Sequence, residues 1–347
     1  MSHLYLPEHY LDSMYHQHAV DFYVFNGDAD GLCALQQLRL HYDPKEAPSP
    51  PPQLITGVKR DIKLLAKIIE SCNACITVLD ISLDQNRSAL QQLLSQENHV
   101  VYIDHHYAGE IPASPLLRTH IDPSPRTCTS LLTDQFLKGR FTAWALTGAF
   151  GDNLLGQARK LAHALGLSRL ASEQLQQLGT LLNYNSYGEN LADLQADPAA
   201  LALDMAPYAD PLQYMEQSPL IPQIRNGYQE DIEHMQSCKP CEEYSGGRVF
   251  LLPDAPWARR ISGIFANLCA GELPSTAHAV LQEQGDDSLR ISVRAPLENP
   301  VGADSLCRQF EGGGGRAAAA GINRLPKTEL NRFLAQFRAH FPASRLS

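Results

Sequence analysis

The chain has 347 residues, of which 44% are hydrophobic and 19% charged, enough for two domains with ordinary globular cores. It has no apolar run of the roughly 18 residues that a membrane span needs, and its start, MSHLYLPEHYLDSMYHQH, lacks the basic opening and unbroken apolar stretch of a secretion signal, so a cytoplasmic protein is expected. A formal net charge of −10 argues against gripping long duplex nucleic acid, which calls for a basic surface, but it leaves small phosphorylated ligands open, because a bound cation and a few arginines can dominate one cleft.

The first half alternates strands and helices. Residues 21–25 (DFYVF) form a short apolar run that ends in the turn Asn26-Gly27-Asp28-Ala29-Asp30-Gly31, and Leu32, Leu35, Leu38 and Leu40 follow at near-helical spacing. The proline-rich residues 44–52 predict a surface loop. Residues 54–58 predict a second strand, and Ile62, Leu65, Ile68 and Ile69 mark one face of a helix. Residues 76–79 predict a third strand, 83–94 its helix and 100–103 a fourth strand. Apolar strands separated by helices in this way predict an α/β protein whose parallel sheet is covered on both faces.

Residues 127–184 read as mainly helical, and Pro198, Pro207, Pro211, Pro219 and Pro222 punctuate a stretch of short helices and linker. A new alternation starts near Arg248, with VFLLP, a helix over 257–269, HAVLQE and LRISVRA as strands, a glycine run, and a final helix after Pro326. The expected organisation is a catalytic domain over 18–200, a helical linker over 201–240 and a smaller α/β domain over 241–347. There is no internal repeat.

Two cysteine pairs have CxxC spacing, Cys72 with Cys75 and Cys238 with Cys241. Together they could make a four-thiolate zinc site, but they are far apart and lack glycine-rich knuckles, so reduced thiols are the better reading.

In parallel α/β sheets, ligands bind beyond the carboxyl ends of the strands. Asp28 and Asp30 follow the first strand, Asp80 ends the third, and Asp104-His105-His106 ends the fourth; Asp152, in FGDN after a helix starting near Thr142, is a further candidate. Each has a bland alternative. GDADG is also a common turn composition, Asp80 and Asp152 could be helix caps, and a lone Asp-His-His could be a capped loop. Recurrence at successive strand ends has no structural need, and crowded carboxylates repel unless a cation joins them. Mixed oxygen and imidazole ligands suit manganese, with magnesium, iron and cobalt as alternatives. Two such ions about 3.5–4 Å apart can activate a water and clamp phosphoryl oxygens.

The ordered motifs GDADG, VLDIS, IDHH and FGDN resemble those of the DHH phosphoesterase superfamily, which includes RecJ-like exonucleases, nanoRNA and 3′-phosphoadenosine-5′-phosphate hydrolases, cyclic-dinucleotide phosphodiesterases and manganese pyrophosphatases. The resemblance implies that Asp28 and Asp30 each serve one metal, that Asp80 bridges both, and that His105 and Asp152 complete the second. His106 would face the scissile phosphate, and Asp104 would orient the histidines. One departure stands out. Many members carry a histidine ligand four residues before the first aspartate, where this chain has Val24, and RecJ-like members carry an acid two residues before it, where this chain has Asn26. Two arrangements follow: a loosely held first metal, or a single firmly bound ion.

The C-terminal part resembles the substrate-binding domain called DHHA1, whose GGGHxxAAG pattern is matched by Gly313, Gly314, Gly315, Arg316 and Ala317 through Gly321, with Arg294 in the preceding ISVRA. Glycines let backbone N–H groups approach a phosphate, and Arg294 could grip one in bidentate fashion. Arg316 replaces the usual histidine, keeping a charge but losing a proton switch. From Leu289 onward nine basic residues (Arg290, Arg294, Arg308, Arg316, Arg324, Lys327, Arg332, Arg338 and Arg345) outnumber four acidic ones, which supports an anionic ligand locally. The active site is expected in the cleft between the two domains. Residues 181–190 (LNYNSYGEN) read as a helix end and loop.

The expected function is metal-dependent hydrolysis of phosphoester bonds in short oligonucleotides or small phosphorylated nucleotides by metal-activated water. The alternative is a nucleotide- or nucleic-acid-binding scaffold of the same fold with weak or no turnover.

Overall fold

The computed structural model describes residues 20–42 and 51–343. The N-terminal stretch, most of the proline-rich segment and Arg345 lie outside them. The chain divides into two compact units, Met1–Asn226 and Gly227–Ser347.

The first unit is built on a five-stranded parallel sheet in the order β2-β1-β3-β4-β5. The strands are β1 (Phe22–Phe25), β2 (Gln53–Ile55), β3 (Cys75–Leu79), β4 (His99–Asp104) and β5 (Leu117–Ile121). Both faces are covered. Val24, Ile76, Val78, Val100 and Tyr102 pack on Leu64, Leu65, Leu83, Leu90 and Leu93. The last three belong to helix α2 (Leu83–Ser95). Burial on both sides is why these strands read as continuous apolar runs, with every residue of β3 buried.

Helix α1 (Ala29–Tyr42) is buried continuously from Ala29 to Leu38. A helix buried all round belongs inside a protein, and α1 packs against both α3 (Thr129–Phe136) and α4 (Thr142–Gly151). The unit continues through α5 (Leu155–Ala164), α6 (Arg169–Asn185), α7 (Pro198–Met205) and α8 (Pro211–Gln217). Asp197 and Asp210 cap α7 and α8 by accepting backbone N–H bonds, each just before a proline in the first turn.

Three expectations need revision. Residues 62–69 form a short 3-10 turn, Leu64–Ile68, in place of an α-helix. Strand β5 went unread because only Leu117 in it is buried, so its apolar pattern is weak. The stretch read as a linker from residue 201 begins inside the first unit: Leu201, Met205, Tyr214, Ile221 and Ile224 are all buried. The division falls within α9 (Leu220–Ser237).

The second unit holds a six-stranded sheet in the order β10-β11-β9-β8-β7-β6. Its strands are β6 (Glu242–Tyr244), β7 (Gly247–Leu252), β8 (Ala277–Gln284), β9 (Ser288–Arg294), β10 (Gly313–Arg316) and β11 (Ala319–Pro326). Only β7 and β8 pair in parallel; the other neighbours are antiparallel. On one face Val249, Ala279, Ile291 and Val293 meet Leu306 of α11 (Ala303–Cys307) and Phe333 and Phe337 of α12 (Leu330–His340). On the other, Phe250 packs on Phe265 of α10 (Pro256–Glu272), ring centroids 4.7 Å apart. No helix among the described residues is long and apolar enough to cross a membrane.

Candidate metal centre

The connections fix where a ligand can sit. The chain leaves β1 on one side to form β2 and returns across it to β3, so β1 and β3 are neighbours at the point where strand order reverses. Asn26, Gly27 and Asp28 follow β1, and Asp80 follows β3. Gly31 permits the tight passage from strand to helix, because a Cβ there would lie 2.2 Å from the Asn26 carbonyl oxygen.

Each side chain is held. Asp28 Oδ1 accepts the backbone N–H groups of Asp30 and Gly31 at 3.0 and 3.1 Å, at the start of α1. Its Oδ2 lies 2.5 Å from Lys59 Nζ. The two oxygens of Asp30 accept the N–H groups of Thr129 and Ser130 at 2.7 and 2.8 Å, where α3 begins, and a carboxylate suits a helix N-terminus. Asp80 takes a left-handed backbone conformation, φ 58°, which is uncommon for any residue but glycine. Its Oδ1 accepts the Thr129 hydroxyl at 3.0 Å.

His105 joins these groups. Its Nε2 lies 3.4 Å from Asp80 Oδ1, and 3.9 Å from both Asp30 Oδ2 and Asp152 Oδ2. Asp152 sits at the C-terminal end of α4. His106 Nδ1 lies 2.7 Å from Asp104 Oδ1 and 3.9 Å from Asp80 Oδ1. Two overlapping triads therefore offer ligand atoms close enough to share an ion: Asp80, His105 and His106, and Asp30, His105 and Asp152.

Charge makes the case for a cation. Burial, and then the charges of Asp28, Asp30, Asp104 and Asp152, push the Asp80 carboxyl well above the usual carboxylate range. Burial, and then Asp30 and Asp28, raise Asp152 to about 7. Crowded acids of this kind are relieved by a divalent ion. Asp28 is the exception. Burial works to raise it, but the Lys59 charge and the hydrogen bonds from Lys59 and Gly31 outweigh that and hold it below the ordinary value. On His106, burial works to lower the pKa, and the hydrogen bond and charge of Asp104 outweigh it and raise it.

Of the residues read from sequence, the structure brings Asp28, Asp30, Asp80, Asp104, His105, His106 and Asp152 to one end of the first sheet. Sequence reasoning missed Lys59 and the pair Thr129 and Ser130. Lys59 lies just beyond β2, so the same rule that found the acids, inspection of strand ends, could have found it. Thr129 and Ser130 left no signal beyond a polar helix start. The two CxxC pairs fall in different units, and no cysteine belongs to a potential ligand cluster among the described residues.

In the second unit, Arg316 pairs with Ala319 and Ala319 with Arg294 across adjacent strands. The two arginines thus share one row and one face, about 10 Å apart by strand spacing. Arg294 donates from Nε to Asn267 Oδ1 at 2.7 Å, while Arg316 is exposed. The glycine run is an edge strand. A Cβ on Gly313 would lie 1.9 Å from the Cys307 carbonyl oxygen, and Gly315 has φ 141°, so packing requires both; a Cβ on Gly314 would meet nothing within 4 Å.

No family model and no curated protein sequence matches the chain. Solved structures do. RecJ from Thermus thermophilus in complex with Mn2+ matches with a TM-score of 0.64 at 16% identity, over 98% of this chain and 54% of RecJ. The chain thus spans about half the length of that RecJ. The DHH domain of a protein described as belonging to a family of ribosomal proteins matches with a TM-score of 0.66 at 14% identity, over 94% of this chain and 87% of that one. The pGpG-specific phosphodiesterase PggH from Vibrio cholerae matches with a TM-score of 0.54 at 14% identity, over 92% and 99% of the two chains. The chain shares the fold of these structures.

Proposed function

We propose that the chain is a metal-dependent phosphoesterase acting on short oligonucleotides or small phosphorylated nucleotides. One observation carries the reading: His105 Nε2 lies within 3.9 Å of oxygens from three aspartates, Asp30, Asp80 and Asp152, contributed by separate elements. These four side chains would hold the cation, and their mixed oxygen and nitrogen donors fit Mn2+, with Mg2+ as the alternative. A bound divalent ion supplies Lewis acidity to a phosphoryl oxygen and a more acidic water.

The chain's own groups do the rest. With Nδ1 engaged by Asp104, His106 has Nε2 left for the substrate. Asp104 favours the protonated ring, and in that form His106 can stabilise the charge that builds on the phosphoryl group and donate to the leaving oxygen. In the second unit, Arg294, Gly313, Gly314, Gly315 and Arg316 are the proposed phosphate-binding set, because the two arginines share one face. Two similar structures, the exonuclease RecJ bound to manganese and a pGpG-specific phosphodiesterase, support the same substrate class.

The test is Mn2+-dependent product release from a panel of linear dinucleotides, cyclic dinucleotides, bis-phosphorylated adenosine and polyphosphate. Activity that survives chelation, or Asp80→Ala, sinks the proposal. The scaffold alternative draws on Val24 and Asn26 at the first motif. Mn2+ bound normally, with no turnover on any member of the panel, would favour it.

A further inference from the structure

We infer that Lys59 is a built-in cation of the metal centre: its ammonium occupies Asp28, so one divalent ion completes the site instead of two. The inference rests on the phosphoesterase reading and deepens it.

The contact between Lys59 Nζ and Asp28 Oδ2 is 2.5 Å, and Asp28 is 2% exposed. The other oxygen of Asp28 accepts two backbone N–H groups, so the whole carboxylate is engaged. Lys59 is anchored from several sides. Its Nζ donates to Asn183 Oδ1 at 3.0 Å and lies 5.6 Å from the Tyr187 ring centroid. Its backbone N–H donates to the Ser186 carbonyl at 2.9 Å. These partners come from the C-terminal end of α6 and the residues after it, and they hold the β2 loop in place. A lysine on an open surface moves among rotamers; this one is fixed on a buried acid by a strand loop and a helix end.

The surroundings agree. Val24, fully buried in β1, presents only hydrocarbon, and Asn26 is neutral. Asp28 therefore draws no second anionic ligand from its own strand; the acid beside it is Asp80, and the ammonium, with one positive charge and three donors, takes the place on Asp28 that a second divalent ion would need. The other acids, Asp30, Asp80 and Asp152, remain grouped around His105. An ammonium fixed beside them repels a second divalent ion and leaves the first in place. Lys59 acts here through position and charge, and no proton transfer is required of it.

The full-length protein should be dialysed to equilibrium against Mn2+ and its metal content measured. Wild type is expected to bind one ion per chain, and Asp28→Asn also one. Lys59→Arg should keep the count at one, while Lys59→Met, with folding checked by circular dichroism, should raise it to two. Mn2+ electron paramagnetic resonance of wild type needs no variant and should give the spectrum of an isolated ion. Two ions in wild type, an exchange-coupled pair in its spectrum, an unchanged count in folded Lys59→Met, or an empty site in Asp28→Asn would each overturn the inference and leave the phosphoesterase reading standing. No Mn2+ bound to wild type removes both.

Discussion

His106 Nδ1 sits 2.7 Å from Asp104 Oδ1, a fully buried carboxylate at the end of β4. The acid fixes which ring nitrogen is engaged and raises the imidazole pKa. Asp104→Asn should therefore lower the His106 pKa, readable by NMR titration of the imidazole. It should also cut kcat by roughly 10–100-fold, the usual cost of losing a partner that orients a histidine. An unchanged His106 titration in the variant would show that the contact does not tune the ring.

Asp80 sets function against stability. Its carboxylate is buried among four others, so Asp80→Asn removes repulsion while preserving shape and an oxygen for the Thr129 hydroxyl. Metal-free Asp80→Asn should melt above metal-free wild type, yet bind Mn2+ roughly tenfold or more weakly, since the charge of a ligand has gone. Differential scanning fluorimetry with and without Mn2+ reads both effects. A variant less stable than wild type in the absence of metal would contradict the repulsion argument.

Stability should depend on pH in a direction set by the same acids. Asp152 titrates at about 7 when folded, against 3.8 as the ordinary value, and Asp80 is raised as well. Between those limits the folded chain holds protons that the unfolded chain has released, so metal-free stability falls as pH rises. His106, also raised, acts in the same sense, its contribution fading as pH passes its folded value. Asp28, lowered, contributes above about pH 4 and loses its effect only in acid. The Tm of the metal-free protein should thus be lower near neutrality than at about pH 5, and the gain on adding Mn2+ correspondingly larger near neutrality. A Tm that climbs steadily over this range without metal would refute the assignment.

The second unit carries a separate test of folding. Arg260 of α10 makes two hydrogen bonds of 2.8 Å to the carboxylate of Asp231 on α9, and both residues are buried. Breaking one half of such a pair strands the other charge and typically costs about 3–5 kcal/mol. Arg260→Ala should lower denaturation midpoints by that order, while Mn2+ binding per folded molecule stays at the wild-type level. Loss of metal binding in the folded variant would mean that the pair serves the centre as well as the fold.

Much of this was legible in advance for a physical reason. Parallel strands buried on both faces must be apolar, so β1, β3 and β4 appear as short unbroken runs, and the acids and imidazoles that interrupt them at Asp28, Asp80 and Asp104 stand out. Strand β5 did not, because it is only partly buried. The glycine run was legible as unusual backbone, but its edge-strand form depends on Cys307 and Ala320, which lie outside the run.

Order along a chain reveals which side chains are available; distance in space decides which of them act together. The sequence alone determined the alternation of elements, the list of acids at strand ends and the hydrocarbon side chain of Val24 four residues before Asp28. Only tertiary packing could decide that the residue beside Asp28 is Lys59, that Thr129 and Ser130 secure Asp30, and that His105 meets three aspartates. Those contacts reach across as many as 100 positions of sequence, and their closeness is set by strand order and helix packing, which no local pattern encodes.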